Sequence, residues 1–455
     1  MDVTAWGKRP VARWWKKERA WFIAFGIFFA IFGTYGGCRA ILRARVNREL
    51  AAIRAMGYPA TPEELIAAYN SPLPGENAAP VYLQAFQCVV ADPTNKLPIV
   101  NGSFPPPGEP LPEDTRTAIT KHLAANKQAL QLLHDAAAIE QCRHAIGFTK
   151  PLVNTLLPHL ADTRAAARLL ALEAIAAADA KDSVTAVQSM KACLAAGRLV
   201  EQEPFLISHL VRIACDVVCA RAMQNALSSC QLTDEQCRTL SQGLARHEDS
   251  SRLAAAMAGE ACAGSEVFDM PAAALGGLWL PFGSMWLQKP TWTWYKLVGL
   301  SDADERAYLK QARRGIEICQ MPEDRRRAAA AELDADLEKL PRAYVVSRLV
   351  CCAAEGVVKE DLRGKAHLRA ARAALAVERY RLAHDRLPGT LDELVPQFLD
   401  AVPKDPFDGK PLRYKTLEKG YVIYSIGPDG KDDGGKERVP DKQGGPDDIP
   451  FTVAR

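Results

Sequence analysis

Between Arg19 and Arg39 the chain reads AWFIAFGIFFAIFGTYGGC, Ala20 to Cys38, without one charged residue. As a helix, nineteen residues reach about 28 Å, close to the hydrocarbon thickness of a bilayer. The run is apolar on every face, so it has no side to turn towards water. Charges at both ends argue against burial as a core helix, the other solution for such a run. Trp14, Trp15 and Trp21 gather at one end, where amphipathic rings favour the membrane interface. The run predicts a transmembrane helix over 20–38, which fixes where the rest of the chain starts.

Flanking charge says little about direction. Lys8, Arg9, Arg13, Lys16, Lys17 and Arg19 precede the run; Arg39, Arg43, Arg45, Arg48 and Arg54 follow it. A short basic segment, 1–19, left in the cytoplasm with the remainder translocated is the usual arrangement of a signal anchor. The expected location is therefore a membrane bordering the cytoplasm, crossed once, with most of the chain outside. A second reading is lipidation at Cys38, since TYGGC is similar to a lipoprotein cleavage site, although Tyr35 stands where a Leu-like residue is usual. A net charge of +3 over 455 residues leaves no basic stripe for nucleic acid, so the expected partners are the membrane and other proteins. The twelve cysteines contain no CxxC pair, which excludes a ribbon-type zinc site. Cys230 and Cys237, bracketing CQLTDEQC, are the expected disulfide; Cys215 and Cys219, one helical turn apart, read as packing residues.

Residues 39–115 read as juxtamembrane helices followed by a proline-rich linker. Gly57 and Pro59 break the first helix, and Thr61-Pro-Glu-Glu opens the second with an N-cap, a first-turn proline and acidic residues. Over 116–264 helix follows helix, with starts near 162, 183, 205 and 234, the last at the capping box Thr233–Gln236. That spacing predicts stacked αα-hairpins, an architecture similar to helical-repeat arrays. In the helix from 205, Leu206, Leu210, Ile213, Val217 and Ala220 form the expected core stripe. His209, Arg212 and Asp216 form the expected solvated stripe, with Arg212 and Asp216 spaced for an ion pair. Residues 265–300 hold a second uncharged run, Met270–Gln288, interrupted by prolines and glycines and followed by KPTWTWYKLVG. It reads either as an interfacial or partner-facing segment or as a loop buried on the helices. Helices resume over 301–364.

No HExxH, GxSxG, Walker or GxGxxG pattern occurs. Cys142 and His144 are close in sequence, but a nucleophile and its base must converge in space. No catalytic residue and no organic cofactor is assigned.

Residues 365–455 differ from the rest. A helix ending near His384 and a short one over 391–395 precede PLRYKTL and YVIYS, two strands expected to pair across Lys419-Gly420. Tyr380, Pro388, the Asp405-Pro-Phe-Asp-Gly409 loop, Tyr414 and then YSIGPDGKDDGG and Asp448-Ile449 carry a resemblance. This segment resembles the C-terminal domain of the major pseudopilin of type II secretion systems, the G protein. The likeness covers about a fifth of the chain. It departs from the family in having Phe407-Asp408 in place of Trp-Gly and no prepilin-peptidase site. More than three hundred residues also intervene between the apolar run and this segment. The resemblance implies a small α+β module and a calcium ion held by Asp429 and Asp448 carboxylates and the Ile426 carbonyl, with Asp432, Asp433 and Asp447 as further candidates. The overall layout, with GENAAPVYLQAF at 75–86 and ERYRLAHDRLP at 378–388, is similar to membrane-anchored bacterial proteins of no known activity.

The expected fold is thus mainly α: an N-terminal transmembrane helix, a stacked αα-hairpin domain and a small C-terminal α+β pseudopilin-like module. The leading function is a non-catalytic envelope interaction or scaffold protein, linked through that module to type II secretion. The alternative is an extracytoplasmic hydrolase whose site assembles only in the fold. A groove along the helices would favour the first; a deep pocket of perturbed acids, histidines or thiols would favour the second.

Overall fold

Helix α1 runs unbroken from Val11 to Ala55 in a computed structural model that describes residues 11–71, 73, 75–92, 97–99, 103–249, 251–271, 289–437 and 446–455. At 1.5 Å per residue its 45 residues span about 67 Å, more than twice a hydrocarbon core. Residues 21–37 lie open to the surroundings, whereas Val46 and Ile53 are fully buried in the protein. The expected span over 20–38 is therefore the apolar stretch of a longer helix whose other half belongs to the folded domain. It is long and apolar enough to cross a membrane. Gly57, at φ +86°, ends the helix, and α2 (Pro62–Tyr69) starts as expected, with the Thr61 hydroxyl accepting from the Glu64 amide at 3.4 Å.

Further helices are α3 (Ala79–Cys88), α4 (Glu113–Ala125), α5 (Lys127–Ala138), α6 (His159–Asp179), α7 (Ser183–Ala196), α8 (Leu206–Ser229), α9 (Asp234–Arg246) and α10 (Ser251–Asp269). After the undescribed residues come α11 (Lys289–Leu297), α12 (Leu300–Cys319), α13 (Glu323–Glu338), α14 (Val345–Val350) and α15 (Ala354–His384). The capping box at α9 is complete, with Thr233 Oγ1 and Gln236 Oε1 each accepting the other residue's amide, at 3.2 and 2.9 Å. Helix α6 packs on α7 and α8, and α8 packs on α15; on the other side α5 meets α7 and α7 meets α9.

One apolar core joins α3–α9 to α15 and to the C-terminal strands. A second gathers α1, α10, α12, α14 and the start of α15. Alanine dominates the helix contacts of the first core, which lets α6, α8 and α15 approach closely. Gly259 makes the same point in the second region: a Cβ there would sit 1.7 Å from the Pro204 carbonyl oxygen.

The expected hairpin forms from β1 (Arg413–Leu417) and β2 (Gly420–Ser425), with Leu417 opposite Gly420 across the turn. A third strand, β3 (Ile449–Ala454), pairs antiparallel with β2 and was not legible, because Pro450 and the Asp-rich approach mask its alternation. Tyr421, Ile423, Phe451 and Val453 are buried in the first core beside the alanines of α15. The Tyr421 hydroxyl donates to the Ala374 carbonyl and the Glu378 carboxylate, both at 3.1 Å. The outer edge of β3 is met by α8: Gln224 and Ser228 side chains accept from the Thr452 and Ala454 amides, each at 3.2 Å. The α+β arrangement at the end of the chain is therefore packed directly onto the helices.

Two expectations are overturned. His209, Arg212 and Asp216 are buried, not solvated, because they turn towards Asp361 and His247, while the open side of α8 carries Ile207, Leu210, Ala214, Val217 and Arg221; Leu210 and Val217 of the expected core stripe are therefore only partly buried. Their ion pair does form, with Arg212 3.1 Å from Asp216. Cys230 and Cys237 are both buried and unbonded, and all twelve cysteines are free. Of the uncharged run Met270–Gln288, residues 272–288 lie outside the described part.

Candidate functional site

A groove of about 890 Å³ runs along α5, α7 and α9, extending to the segments that follow α5 and α9. The spacing of the helices makes it: Gly243 sets α9 against Leu194 of α7, and Ala192 and Ala195 leave the floor without bulk. Gln131, Gln141, Gln188, Gln202 and Gln242 line it, each offering both an amide donor and an amide acceptor. Lys191 and Arg246 stand exposed on its wall, while Arg252 is ion-paired to Glu201. Arg198 caps the C-terminal end of α5, donating to the carbonyls of Ala137 at 2.7 Å and Glu140 at 3.1 Å. Behind one wall, the Glu173 carboxylate receives both His134, at 2.8 Å, and the Ser189 hydroxyl, at 2.7 Å.

His247 lines the groove and leads into the interior. Its Nδ1 lies 2.7 Å from Asp216, and its carbonyl accepts from Arg212 at 3.1 Å. Nearby, His209 Nε2 lies 3.0 Å from Asp361 Oδ1, and Asp361 Oδ2 pairs with Lys365 at 2.9 Å. Lys365 also meets Glu323, which binds Arg369, and Arg369 reaches Glu248. Burial pushes the Asp361 carboxyl up, but the hydrogen bond from His209 and the Lys365 charge outweigh it and hold the group well below its ordinary value. These groups tie α8, α13 and α15 together, with His209, Asp361 and Lys365 buried and Glu323 and Arg369 partly exposed.

Burial pushes Cys142, on the groove wall, up to about 12, and Cys351 and Cys352 up to about 12 and 11. A nucleophilic thiol needs the opposite shift. His144 does not serve as a base for Cys142 here; its ring lies 3.9 Å from that of His159, and burial lowers its pKa.

In the C-terminal loop the three residues implied by the resemblance have different surroundings. The Ile426 amide donates to Asp405 Oδ2 at 2.9 Å. Asp429 is exposed, its carboxylate closing a local turn on the Lys431 amide at 3.1 Å. Asp448 is buried, one oxygen accepting the Gly435 amide at 2.7 Å and the other, Oδ1, without a hydrogen-bond partner. Asp433 Oδ2 is a second buried oxygen without a partner. Burial raises the Asp448 carboxyl, and the Asp433 and Asp432 charges raise it further, against the pull of backbone amides. Asp447 is committed to Arg363. Among the described residues no three His, Cys, Asp or Glu side chains converge as a metal shell. An ion here would need backbone oxygens too. Asp405, fully buried, is the residue that organises this region: it accepts from Ser425 Oγ at 2.8 Å, the Ile426 amide, the Phe407 amide at 3.0 Å and Arg413 at 2.7 Å. Its place ahead of Pro-Phe in the DP-aromatic-G pattern was the available signal.

No protein-family model, curated protein or solved structure matches the chain.

Proposed function

We propose that this is a membrane-anchored, extracytoplasmic binding protein whose helical array takes an extended peptide segment of a partner in the α5–α7–α9 groove. The observation that carries the reading is the groove itself. It is open to solvent and lined from three helices, and five glutamine amides line it. Amide side chains pair with both the N–H and C=O groups of an extended backbone, so they hold a peptide with little demand on its sequence. Lys191 and Arg246, together with Glu140 and Asp249, give the lining charges of both signs. The raised thiols do not favour the hydrolase alternative, whose one acid–histidine pair on the groove is His247 with Asp216. Anchoring is supported by the open apolar stretch of α1 and by its continuation into the domain, which leaves no flexible link between the two.

At the C-terminal end the reading keeps a pseudopilin-like module that binds calcium. Its support is the pair of orphaned oxygens, Asp433 Oδ2 and Asp448 Oδ1, in a loop where Gly427, Gly430, Gly434 and Gly435 all take positive φ. Buried carboxylate oxygens without donors are costly, and a hard cation would satisfy them. Asp429 and the Ile426 carbonyl remain the ligands that the resemblance implies.

The test of the groove is a displayed peptide library panned against the full chain in nanodiscs. Gln188→Ala with Gln242→Ala should weaken the recovered peptides by about tenfold, the loss of one or two hydrogen bonds. Val184→Ala, an exposed position absent from the groove lining, should not. Peptides that bind both variants equally would overturn the groove as the binding site.

A further inference from the structure

Helix α11 has two apolar faces, and among the described residues only one of them is covered. On the inner face Trp292 is 5% exposed, its Nε1 donating to the Met270 carbonyl at 3.0 Å, and the Tyr295 ring stacks on it at 5.2 Å. On the outer face Trp294, Leu297 and the following Val298 are 63%, 51% and 58% exposed. Elsewhere in the described part of the domain Val184 and Ile207 stand singly, and Leu156 is accompanied in sequence by Val153 alone. Three within five residues form a patch that water disfavours.

The position of this patch relative to α1 is fixed. The Tyr35 hydroxyl donates to the Leu297 carbonyl, and the Arg39 guanidinium donates to the Lys296 carbonyl. Arg39 also lies 3.1 Å from Asp302, and Arg43 lies 2.7 Å from Glu305, so α12 is held alongside the same stretch. Gly299, at φ +77°, makes the approach possible: a Cβ there would stand 3.2 Å from Arg39 Cδ and 3.3 Å from Leu42 Cδ1. Tyr35 and Arg39 bracket the last turn of the uncharged run. The end of α11 is therefore bonded to α1 where the apolar stretch gives way to charge.

We infer that the outer face of α11, carrying Trp294, Leu297 and Val298, lies in the interfacial layer of the bilayer that α1 crosses. The inference rests on the reading of α1 as an anchor. A tryptophan at the surface of the hydrocarbon keeps its indole N–H in the headgroup region while its ring leaves water, and leucine and valine beside it add apolar area. The domain would then touch the membrane at two places, the helix that crosses and the helix that rests on it, which together fix its tilt.

The test uses the full chain in vesicles of phosphatidylethanolamine and phosphatidylglycerol. A fluorescent non-natural amino acid replaces Phe28, Trp294 or Leu156 in turn, and spin-labelled lipids quench at shallow or deep positions. The reporter at 28 should be quenched most by the deep label. The reporter at 294 should be quenched at least twofold more by the shallow label than the one at 156, which should answer to aqueous iodide instead. Deep quenching at 28 with iodide quenching at 294 equal to that at 156 would overturn the inference and leave the anchor standing. Shielding of 294 from both lipid label and iodide would also overturn it, since a second copy or another protein would then cover the patch. Loss of deep quenching at 28 would overturn the anchor itself.

Discussion

His209 Nε2 and Asp361 Oδ1 lie 3.0 Å apart although 152 residues separate them, so the first turn of α8 is tied to the first turns of α15 inside the protein. Asp361 simultaneously holds Lys365, itself 3% exposed on its side-and-main-chain surface. Removing the carboxylate strands a buried ammonium, and breaking such a pair typically costs about 3–5 kcal/mol. Asp361→Asn should therefore shift urea unfolding strongly, and Asp361→Asn with Lys365→Met should recover part of the loss. Additive losses in the double variant would show that the two groups are not coupled.

Acid should destabilise the protein through His367. This half-buried ring lies near Arg221 and Arg363, and burial, with those two charges, lowers its pKa to about 3 from an ordinary 6.5. Unfolded chains take up the proton near pH 6.5 and the folded one does not, so the unfolded state binds more protons between those values. Stability from this group is complete above pH 6.5 and is lost as pH falls from there towards 3. The melting temperature should fall from pH 7 to pH 5, and His367→Gln should flatten that slope. A slope unchanged by the substitution would assign the effect to other groups.

Gly259→Ala tests the close approach of α10 to the chain before α8. The added methyl would meet the Pro204 backbone, which cannot swing aside as a side chain can. Destabilisation of about 3 kcal/mol or more is expected, at the upper end of overpacking effects. Gly356→Ala, where a Cβ meets nothing within 4 Å, should be neutral or slightly stabilising. Equal behaviour of the two variants would refute the packing described at Gly259.

Calcium should raise the melting temperature if the Asp433–Asp448 region is a cation site. For a dissociation constant of about 0.1 mM, typical of weak extracellular sites, 1 mM calcium adds about 1.4 kcal/mol. Asp448→Asn should abolish the difference between calcium and chelator, and Asp429→Asn tests the ligand implied by the resemblance. Identical melting in both buffers would remove calcium from the account.

Much of the fold could be read from local signals. Thr61 and Thr233 announced helix starts, Gly57 a stop, and Lys419-Gly420 a hairpin, because each acts on its immediate neighbours. Which face of a helix is buried could not be read where several helices pack on it. His209, Arg212 and Asp216 have the spacing of a polar stripe, and only the packing of α6, α7, α10 and α15 shows that they are enclosed. The groove was equally out of reach, since its glutamines come from separate helices and no single stretch contains the pattern. Strand β3 was hidden for a related reason: it is stabilised by Tyr421 and Ile423 beside it and by Gln224 and Ser228 on α8, none of them near it in sequence.

The unbroken course of α1 carries a consequence for reach. A domain on a flexible tether sweeps a volume and meets partners at many heights above a membrane, with an effective concentration set by tether length. A domain mounted on a helix that continues from the apolar stretch into its own core, as α1 does through Val46 and Ile53, has no such freedom. Held in a bilayer by α1, the groove would stand at one distance from the surface, and selection among partners would depend on whether their segments are displayed at that distance.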